Sequence, residues 1–227
     1  AFLVLRTLRL CQHHRVMAMY RRRLPHVVDT DHPVFLTWRL AGSIPTNRFF
    51  SNLSLTSGQA FAAMDRVLDE ASSGPTYLLI PEIAQIVVDT LKYQGSVLLR
   101  YKLHAYVVMA NHVHAVVTPS VQIPMLTRTL KSYSARRANE ILARQGAFWA
   151  EETFDRTIRN RNEFARICGY VENNPVKAGL ASLPENYRWS SAWKAGSPAP
   201  QPADRLAWPS DAKAEAAPPR GSCDPPS

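Results

Sequence analysis

Two apolar runs of strand-like composition follow each other in the middle of the chain. They cover residues 97–109 (VLLRYKLHAYVVM) and 111–118 (NHVHAVVT), with a junction at Ala110-Asn111. β-Branched and aromatic residues favour strands, and so short a junction connects two strands only as an antiparallel hairpin. Because an isolated hairpin is marginally stable in water, this segment predicts a larger antiparallel sheet.

The elements around the hairpin predict an α+β fold. Residues 34–40 (VFLTWRL) have the composition of another strand. Apolar residues recur at helical spacing in four further segments, and the last of them is expected to stop at Asn174-Pro175. These helices are predicted over residues 58–71, 81–93, 123–145 and 161–173, with an extended piece at 148–158. The order indicates an antiparallel sheet with helices on one face, in a ferredoxin-like split βαβ arrangement.

Composition separates the two ends of the chain from a central domain over residues 20–195. From Pro198 onward there are eight prolines and few large apolar residues, so we expect residues 196–227 to form a disordered Pro-rich tail. Residues 1–19 are apolar but interrupted by Arg6 and Arg9, without a small-residue cleavage site. We interpret them as a leader or an over-extended start rather than a signal peptide.

The chain is basic, with 27 Lys and Arg against 18 Asp and Glu and a formal charge of +9. Residues 6–23 contain six arginines and no acid, and further basic side chains follow on the predicted helix 123–145. This surplus favours a polyanionic partner, because each phosphate neutralised by a basic residue releases counterions. The three cysteines are odd in number and far apart, which argues against a disulfide framework or a zinc ribbon and favours a reducing compartment.

The motif His112-Val113-His114 lies inside the second strand of the predicted hairpin. Alternate side chains share one face of a strand, so both imidazoles point the same way and can converge on one divalent ion. The alternative is a pair of independent surface histidines, since this spacing alone is a weak signal. We interpret His104, on the preceding strand, as a packed and hydrogen-bonded histidine rather than a ligand.

Tyr170 lies off the buried stripe of the last predicted helix. Phe164, Ile167 and Val171 define that stripe, and Tyr170 falls roughly 110° from its centre. Asn174, four residues on, lies on the same flank. Either the tyrosine only covers the helix edge, or its hydroxyl acts beside the histidine pair. In the second case a metal that polarises a phosphate offsets the weak nucleophilicity of a phenol.

Two other tyrosines compete for such a role. Tyr133 lies near the inner stripe of its helix and is predicted to be packed. Tyr187 lies in a loop-like stretch (PENYRW) without a candidate ligand one turn away. Tyr170 is therefore the preferred candidate.

Several separated motifs resemble the REP-associated tyrosine transposases, which belong to the single-tyrosine HUH transposases. The motifs are LHAYVVMANHVHAVVTP, KSYSARRANEIL, the pair Phe148-Trp149, and FDRTIRNRNEFARICGYVENNPVKAGL. They occur in the family's order over residues 20–194. Ala110 stands where the family commonly has proline, a departure that concerns the turn rather than the candidate ligands.

The resemblance implies the roles of four residues. His112 and His114 match the metal-binding histidines, and Asn174 matches the third ligand of a divalent metal, Mg²⁺ or Mn²⁺. Tyr170 matches the nucleophile. The implied activity is a metal-dependent single-stranded DNA endonuclease and strand transferase, which acts in DNA transposition at hairpin-forming repeats through a 5′-phosphotyrosine intermediate.

The implied partner is single-stranded or hairpin DNA, without a membrane, and the implied location is the bacterial cytoplasm at the nucleoid. The implied oligomeric state is a monomer or a homodimer. The sequence has no GxxxxGK[ST] phosphate loop, which agrees with strand transfer that needs no ATP. One alternative is a non-catalytic hairpin DNA- or RNA-binding protein of the same fold. The other is a zinc hydrolase that uses the two histidines and water, although no acidic ligand is evident near that strand.

Overall fold

The computed structural model describes residues 32–44, 57–70 and 74–196, with side chains from residue 63 onward in the second of these ranges. Nearly all of these residues belong to the central domain predicted over residues 20–195. The predictions for the leader over residues 1–19, for the arginine-rich run 6–23 and for almost all of the tail lie outside the described residues.

Four strands form one antiparallel sheet in the order β2-β3-β1-β4. The strands are β1 (Val34–Leu40), β2 (Tyr101–Val108), β3 (His112–Pro119) and β4 (Trp149–Thr157). The helices are α1 (Ser57–Glu70), α2 (Pro81–Ser96), α3 (Ile123–Ile141) and α4 (Arg161–Lys177). Because β3 separates β1 from β2 and β1 separates β3 from β4, two βαβ units interleave in the split βαβ order. The predicted α+β fold is confirmed.

The predicted hairpin is present as β2 and β3. The backbone N–H of Met109 donates to the carbonyl of His112 over 2.8 Å, which closes the turn at Ala110-Asn111. Residues 97–100, predicted as strand, instead connect α2 to β2 because α2 continues to Ser96. Leu99 there adopts a positive φ of 51°, which interrupts the extended conformation.

Helices cover both faces of the sheet, so the prediction of helices on one face is wrong. On one face, the Tyr101 hydroxyl donates to the Leu91 carbonyl of α2, and the indole of Trp149 donates to Ser134 of α3. On the other face, Tyr170 of α4 packs against Phe35 with ring centroids 6.4 Å apart. The reason is that β3 is buried on both sides, and a sheet that is apolar on both faces needs cover on both.

Helix α4 continues through Pro175 to Lys177, so the predicted end at Asn174-Pro175 is wrong. Proline removes the hydrogen bond to the carbonyl four residues before it, which usually ends a helix. Here Pro175 is buried, so packing against the rest of the protein stabilises the next turn. Gly179, two residues beyond the end of the helix, has a φ of 69°. The N–H of Leu180 donates to Pro175 and that of Gly179 to Val176, a Schellman pattern.

No helix among residues 32–44, 57–70 and 74–196 is long and apolar enough to cross a bilayer.

Candidate metal centre and tyrosine site

The two histidines of β3 converge beneath α4. Their side chains are fully buried, their ring centroids are 4.6 Å apart, and their Nε2 atoms are 3.0 Å apart. Alternation along β3 puts both rings on the face that α4 covers, while Val113 and Ala115 point to the opposite face. The interpretation as independent surface histidines does not hold in this structure.

Each ring is oriented by a partner at its other nitrogen. Nδ1 of His112 lies 2.8 Å from Oδ1 of Asn111, and Nδ1 of His114 lies 2.7 Å from Oγ1 of Thr37. Because an amide oxygen only accepts, we assign the His112 proton to Nδ1, which leaves the lone pair on Nε2. Burial, reinforced by the neighbouring His114, lowers the pKa of His112 to about 3, so this imidazole is neutral at pH 7.

Two aspartates of α1 complete the polar cluster, and the sequence analysis did not identify them. Oδ1 of Asp65 lies 3.1 Å from Nε2 of His114 and 3.8 Å from Nε2 of His112. Oδ1 of Asp69 lies 3.8 Å from Nε2 of His112. The signal in the sequence is an acid inside an apolar stripe, because Asp65 precedes the buried Leu68 by three residues and lies one turn from Asp69.

The environments of the two carboxyl groups differ. Burial alone would raise the pKa of Asp65, but the adjacent His114, together with His112 and Lys177, brings it below its usual value. The pKa of Asp69 rises to about 6, because burial and the neighbouring Asp65 both disfavour its charge. At pH 7 the cluster therefore carries two carboxylates beside neutral His112. This corrects the premise, used against a zinc hydrolase, that no acidic ligand lies near the strand.

Tyr170 reaches this cluster from α4. Its hydroxyl donates a hydrogen bond to Oδ2 of Asp65, and its ring centroid is 5.9 Å from that of His114. The same carboxylate thus contacts the tyrosine through one oxygen and His114 through the other. Tyr170 does more than cover the helix edge, because it contacts one histidine of the pair and an acid.

Asn174 lies on the same flank of α4, one turn beyond Tyr170 and one turn before Lys177. Its side chain is buried, and neither its amide oxygen nor its amide nitrogen has a hydrogen-bond partner among the described residues. A buried amide without partners is costly unless something else binds it. Glu172 faces elsewhere, as predicted, and accepts a hydrogen bond from Ser191.

The other candidates lie away from this cluster. His104 contacts Thr118 over 2.7 Å and packs edge-on against Phe164, which confirms the interpretation of a packed histidine. The hydroxyl of buried Tyr187 donates to the carbonyl of Val108. Tyr133 is 49% exposed, so the prediction that it is packed is wrong. The buried residues of α3 recur mostly every four positions, and this drift carries the inner face away from Tyr133.

Part of the basic surface is already engaged within the fold. Lys131 of α3 donates to three consecutive backbone carbonyls at residues 150–152 of β4, and Arg156 pairs with Glu163. Burial lowers the pKa of Lys131 to about 8. Arg136 and Arg144 instead lie over the rings of Tyr133 and Tyr77. The basic residues of α3 therefore do not act as one uniform phosphate-binding face.

The donor set fits a divalent metal ion. Asp65, His112 and His114 form the one group, within the part of the chain that the structure describes, of three or more histidine, cysteine or acidic side chains whose ligand atoms lie within 4.8 Å of one another. Neutral imidazoles and carboxylates are ligands for Mn²⁺ and related ions, and an amide oxygen is another. Asn174 adds such an oxygen without a competing partner among these residues.

Comparison with known proteins finds one family to which the middle of the chain is similar. The profile of the family described as "Transposase IS200 like" matches residues 87–174, which include the histidine pair, Tyr170 and Asn174. This segment is therefore similar to the IS200-like transposases. Transposases cut and rejoin DNA, so the similarity supports a general role in DNA transposition, with DNA as the partner.

Two solved structures are similar to this chain. One is a REP-associated tyrosine transposase bound to a REP hairpin, with 15% identity, coverage of 76% of this chain and 82% of that chain, and a TM-score of 0.47. The other is a protein from Deinococcus radiodurans R1 assigned as a transposase, with 18% identity, coverage of 63% and 89%, and a TM-score of 0.34. Among curated proteins, none matches the sequence significantly.

Proposed function

We propose that the protein is a metal-dependent single-tyrosine strand transferase that cleaves single-stranded DNA beside hairpin-forming repeats and rejoins it. The observation that carries the proposal is the contact of Tyr170 with Asp65, whose second oxygen lies 3.1 Å from the imidazole of His114. A hydroxyl with nucleophilic potential and a metal-binding donor set meet at one place, and the similarity to transposases supports DNA as the substrate. We assign the activity to a catalytic domain over residues 20–195.

The proposed metal ligands are His112, His114 and Asn174, to which the structure adds Asp65. Support comes from the converging Nε2 atoms and from the buried amide of Asn174 without a partner among the described residues. When bound, Mg²⁺ or Mn²⁺ would supply Lewis-acid stabilisation of charge on the oxygens of the scissile phosphate. Thr37 and Asn111 orient the two rings so that Nε2 of each faces the cluster.

The proposed reaction conserves the energy of the phosphodiester. Asp65 holds the hydroxyl of Tyr170, so the phenol is positioned before DNA arrives. The phenol gives its proton to solvent water and its oxygen bonds to phosphorus, while the bond from phosphorus to the 3′ oxygen breaks and that oxygen takes a proton from solvent. The 3′ oxygen leaves as a protonated 3′-hydroxyl, and a 5′-phosphotyrosine results. Attack by a 3′-hydroxyl reverses these steps, so rejoining needs no ATP.

Tyr170→Phe tests the assignment of the nucleophile. The enzyme is incubated with Mn²⁺ and a 3′-labelled single-stranded oligonucleotide that carries a hairpin, and covalent adducts are separated on a denaturing gel and mapped by peptide mass. We expect the wild-type adduct on Tyr170 and none in the variant. Stability should fall by about 1.5–3 kcal/mol, because a hydrogen bond to a buried carboxylate is lost while the ring is kept. Tyr133→Phe, which alters an exposed tyrosine of α3, should leave the adduct unchanged.

The same experiment separates the proposal from its two alternatives. The position of Asp65 favours a zinc hydrolase with water as nucleophile. That enzyme would cleave the oligonucleotide without forming an adduct, and the cleavage would persist in Tyr170→Phe. A non-catalytic hairpin-binding protein predicts affinity for the oligonucleotide without any strand cleavage. An adduct that maps to Tyr133 or Tyr187 would remove Tyr170 from the mechanism.

A further inference from the structure

Lys177 lies at the solvent edge of the site. Its ammonium nitrogen is 3.1 Å from Oδ2 of Asp69 and 5.6 Å from the centroid of the Tyr170 ring. The lysine side chain is 54% exposed, whereas that of Asp69 is 10% exposed and the two histidines are fully buried. Lys177 is therefore positioned between the buried cluster and the solvent from which DNA must approach.

The spacing along two helices explains this position. Tyr170, Asn174 and Lys177 follow the i, i+4, i+7 pattern and share one flank of α4. Asp65 and Asp69 share one flank of α1 in the same way. Two contacts connect these flanks, from Tyr170 to Asp65 and from Lys177 to Asp69. The second contact fixes the ammonium group beside the tyrosine ring.

The charges around the site suit Lys177 to attract a phosphate. Asp65 and Asp69 are acids beside the histidine pair, and a divalent ion would offset their charge. A phosphodiester is itself an anion, and a neutral site offers it little attraction. Lys177 adds one positive charge at the entrance, where its ammonium nitrogen lies 3.1 Å from Oδ2 of Asp69.

We propose that Lys177 is a substrate-binding residue, which donates a charge-assisted hydrogen bond to a non-bridging oxygen of the scissile phosphate while Asp69 holds its side chain in place. The proposal rests on the proposed function, because it assumes that a DNA phosphate comes to Tyr170. It predicts that Lys177 distinguishes a charged phosphate from a neutral one at that position and at no other.

The test measures binding with protein that cannot cleave. The scissile position is first mapped with wild-type enzyme. Tyr170→Phe protein with Mn²⁺ is then titrated with two hairpin oligonucleotides, which differ only in having a phosphodiester or an uncharged methylphosphonate at that position. We expect the phosphodiester to bind more tightly, and Lys177 to account for about a tenfold part of this preference, the effect of one charge-assisted hydrogen bond. In Tyr170→Phe with Lys177→Gln the preference should therefore fall about tenfold, to the part that bound Mn²⁺ provides, and Lys177→Arg should restore most of it.

Lys92→Gln in the same Tyr170→Phe background is the matched control. Lys92 is also exposed, and its nitrogen lies 6.0 Å from the centroid of the Tyr106 ring, but it belongs to α2 on the opposite face of the sheet. This variant should keep the full preference for the charged phosphate. A lower overall affinity of this variant for DNA does not affect the comparison, because only the ratio of the affinities for the two oligonucleotides reports on the scissile position.

The outcomes separate this inference from the proposed function. If wild-type enzyme forms an adduct on Tyr170 but Lys177→Gln keeps the full preference for the charged phosphate, Lys177 does not bind the scissile phosphate. The strand-transferase proposal then stands. A preference lost equally in Lys92→Gln also overturns the inference, since it then reflects general positive charge. If wild-type enzyme forms no adduct at any position, the proposed function fails first.

Discussion

Thr37 and Thr118 each contact a histidine ring of the same sheet, and each oxygen–nitrogen distance is 2.7 Å. Their consequences differ, because Thr37 contacts His114 of the buried pair whereas Thr118 contacts His104 outside it. A hydroxyl at Nδ1 fixes the ring orientation and thereby presents Nε2 to a metal. At the scale of single residues, we therefore expect metal binding to depend on the contact from Thr37 as well as on the ligand His114.

Thr37→Val should weaken Mn²⁺ binding about tenfold, because the valine keeps the shape of the side chain and removes the partner of His114. Thr118→Val removes a contact of the same length and should leave the affinity unchanged. Calorimetric titration of both variants with Mn²⁺ checks the pair of outcomes. Equal losses in the two variants would mean that the contact at His114 has no special role.

Asn174→Leu should move stability and metal affinity in opposite directions. The buried amide has no hydrogen-bond partner among the described residues, so an apolar side chain of similar size should raise the free energy of unfolding of the metal-free protein by about 1–2 kcal/mol. Mn²⁺ affinity should fall, because a ligand is lost. Urea unfolding in EDTA and metal titration measure the two quantities.

The neighbouring Asn173→Leu is the control for this prediction. Asn173 is exposed and donates only to the carbonyl of Gly169 within its own helix. Both quantities should change little, by about 0.5 kcal/mol or less in stability. A loss of stability in Asn174→Leu would show that its amide is satisfied in the folded protein and would weaken its assignment as a ligand.

At the scale of elements, α4 carries Tyr170, Asn174 and Lys177 on one flank, so its register and its end decide whether the site forms. Gly179 ends the helix with a φ of 69°, and the hydrogen bonds from residues 179 and 180 close its last turn. That turn directly follows Lys177. The C-terminal cap of α4 therefore supports the position of the lysine.

Two glycine substitutions in and after α4 should have opposite signs. Gly179→Ala should destabilise the protein by about 1 kcal/mol, because an L side chain is strained at positive φ even where space is open. Gly169→Ala should stabilise it by about 0.5–1 kcal/mol, because Gly169 is inside the helix and a Cβ there meets no atom within 4 Å. Chemical denaturation of both variants measures the difference, and a gain in Gly179→Ala would contradict the role of this residue in the cap.

At the scale of the whole molecule, the cluster joins three separate parts of the chain, with Asp65 from α1, the histidine pair from β3, and Tyr170 and Asn174 from α4. Groups that are far apart in sequence come together only in the folded state. A metal that binds this set binds the native protein and not the unfolded chain. Metal binding is then coupled to global stability.

Mn²⁺ at a hundredfold excess over its dissociation constant should stabilise the protein by about 2.7 kcal/mol, from mass action on the native state. Denaturant unfolding with Mn²⁺ and with EDTA measures this difference. His112→Ala should abolish it, whereas His104→Ala should retain it because that histidine contacts Thr118 and Phe164 instead. An equal metal effect in all three proteins would indicate binding elsewhere.

Local patterns in the sequence determined most of the secondary structure. Strand β1 and the hairpin of β2 and β3 follow from β-branched composition and a short junction, and the alternation along β3 places His112 and His114 on one face. The flank shared by Tyr170 and Asn174 follows from helical periodicity alone. These features depend on neighbours within a few residues, which the linear sequence displays directly.

The tertiary structure decided which distant groups meet. That α1 delivers Asp65 and Asp69 to the histidine pair, that α4 continues through Pro175, and that helices cover both faces of the sheet all depend on packing between remote segments. An acid on an apolar helical stripe indicates burial but does not indicate its partner. The physical reason is that periodicity assigns a side chain to a face of its own element, whereas the element that covers that face is selected by the burial of the whole sheet.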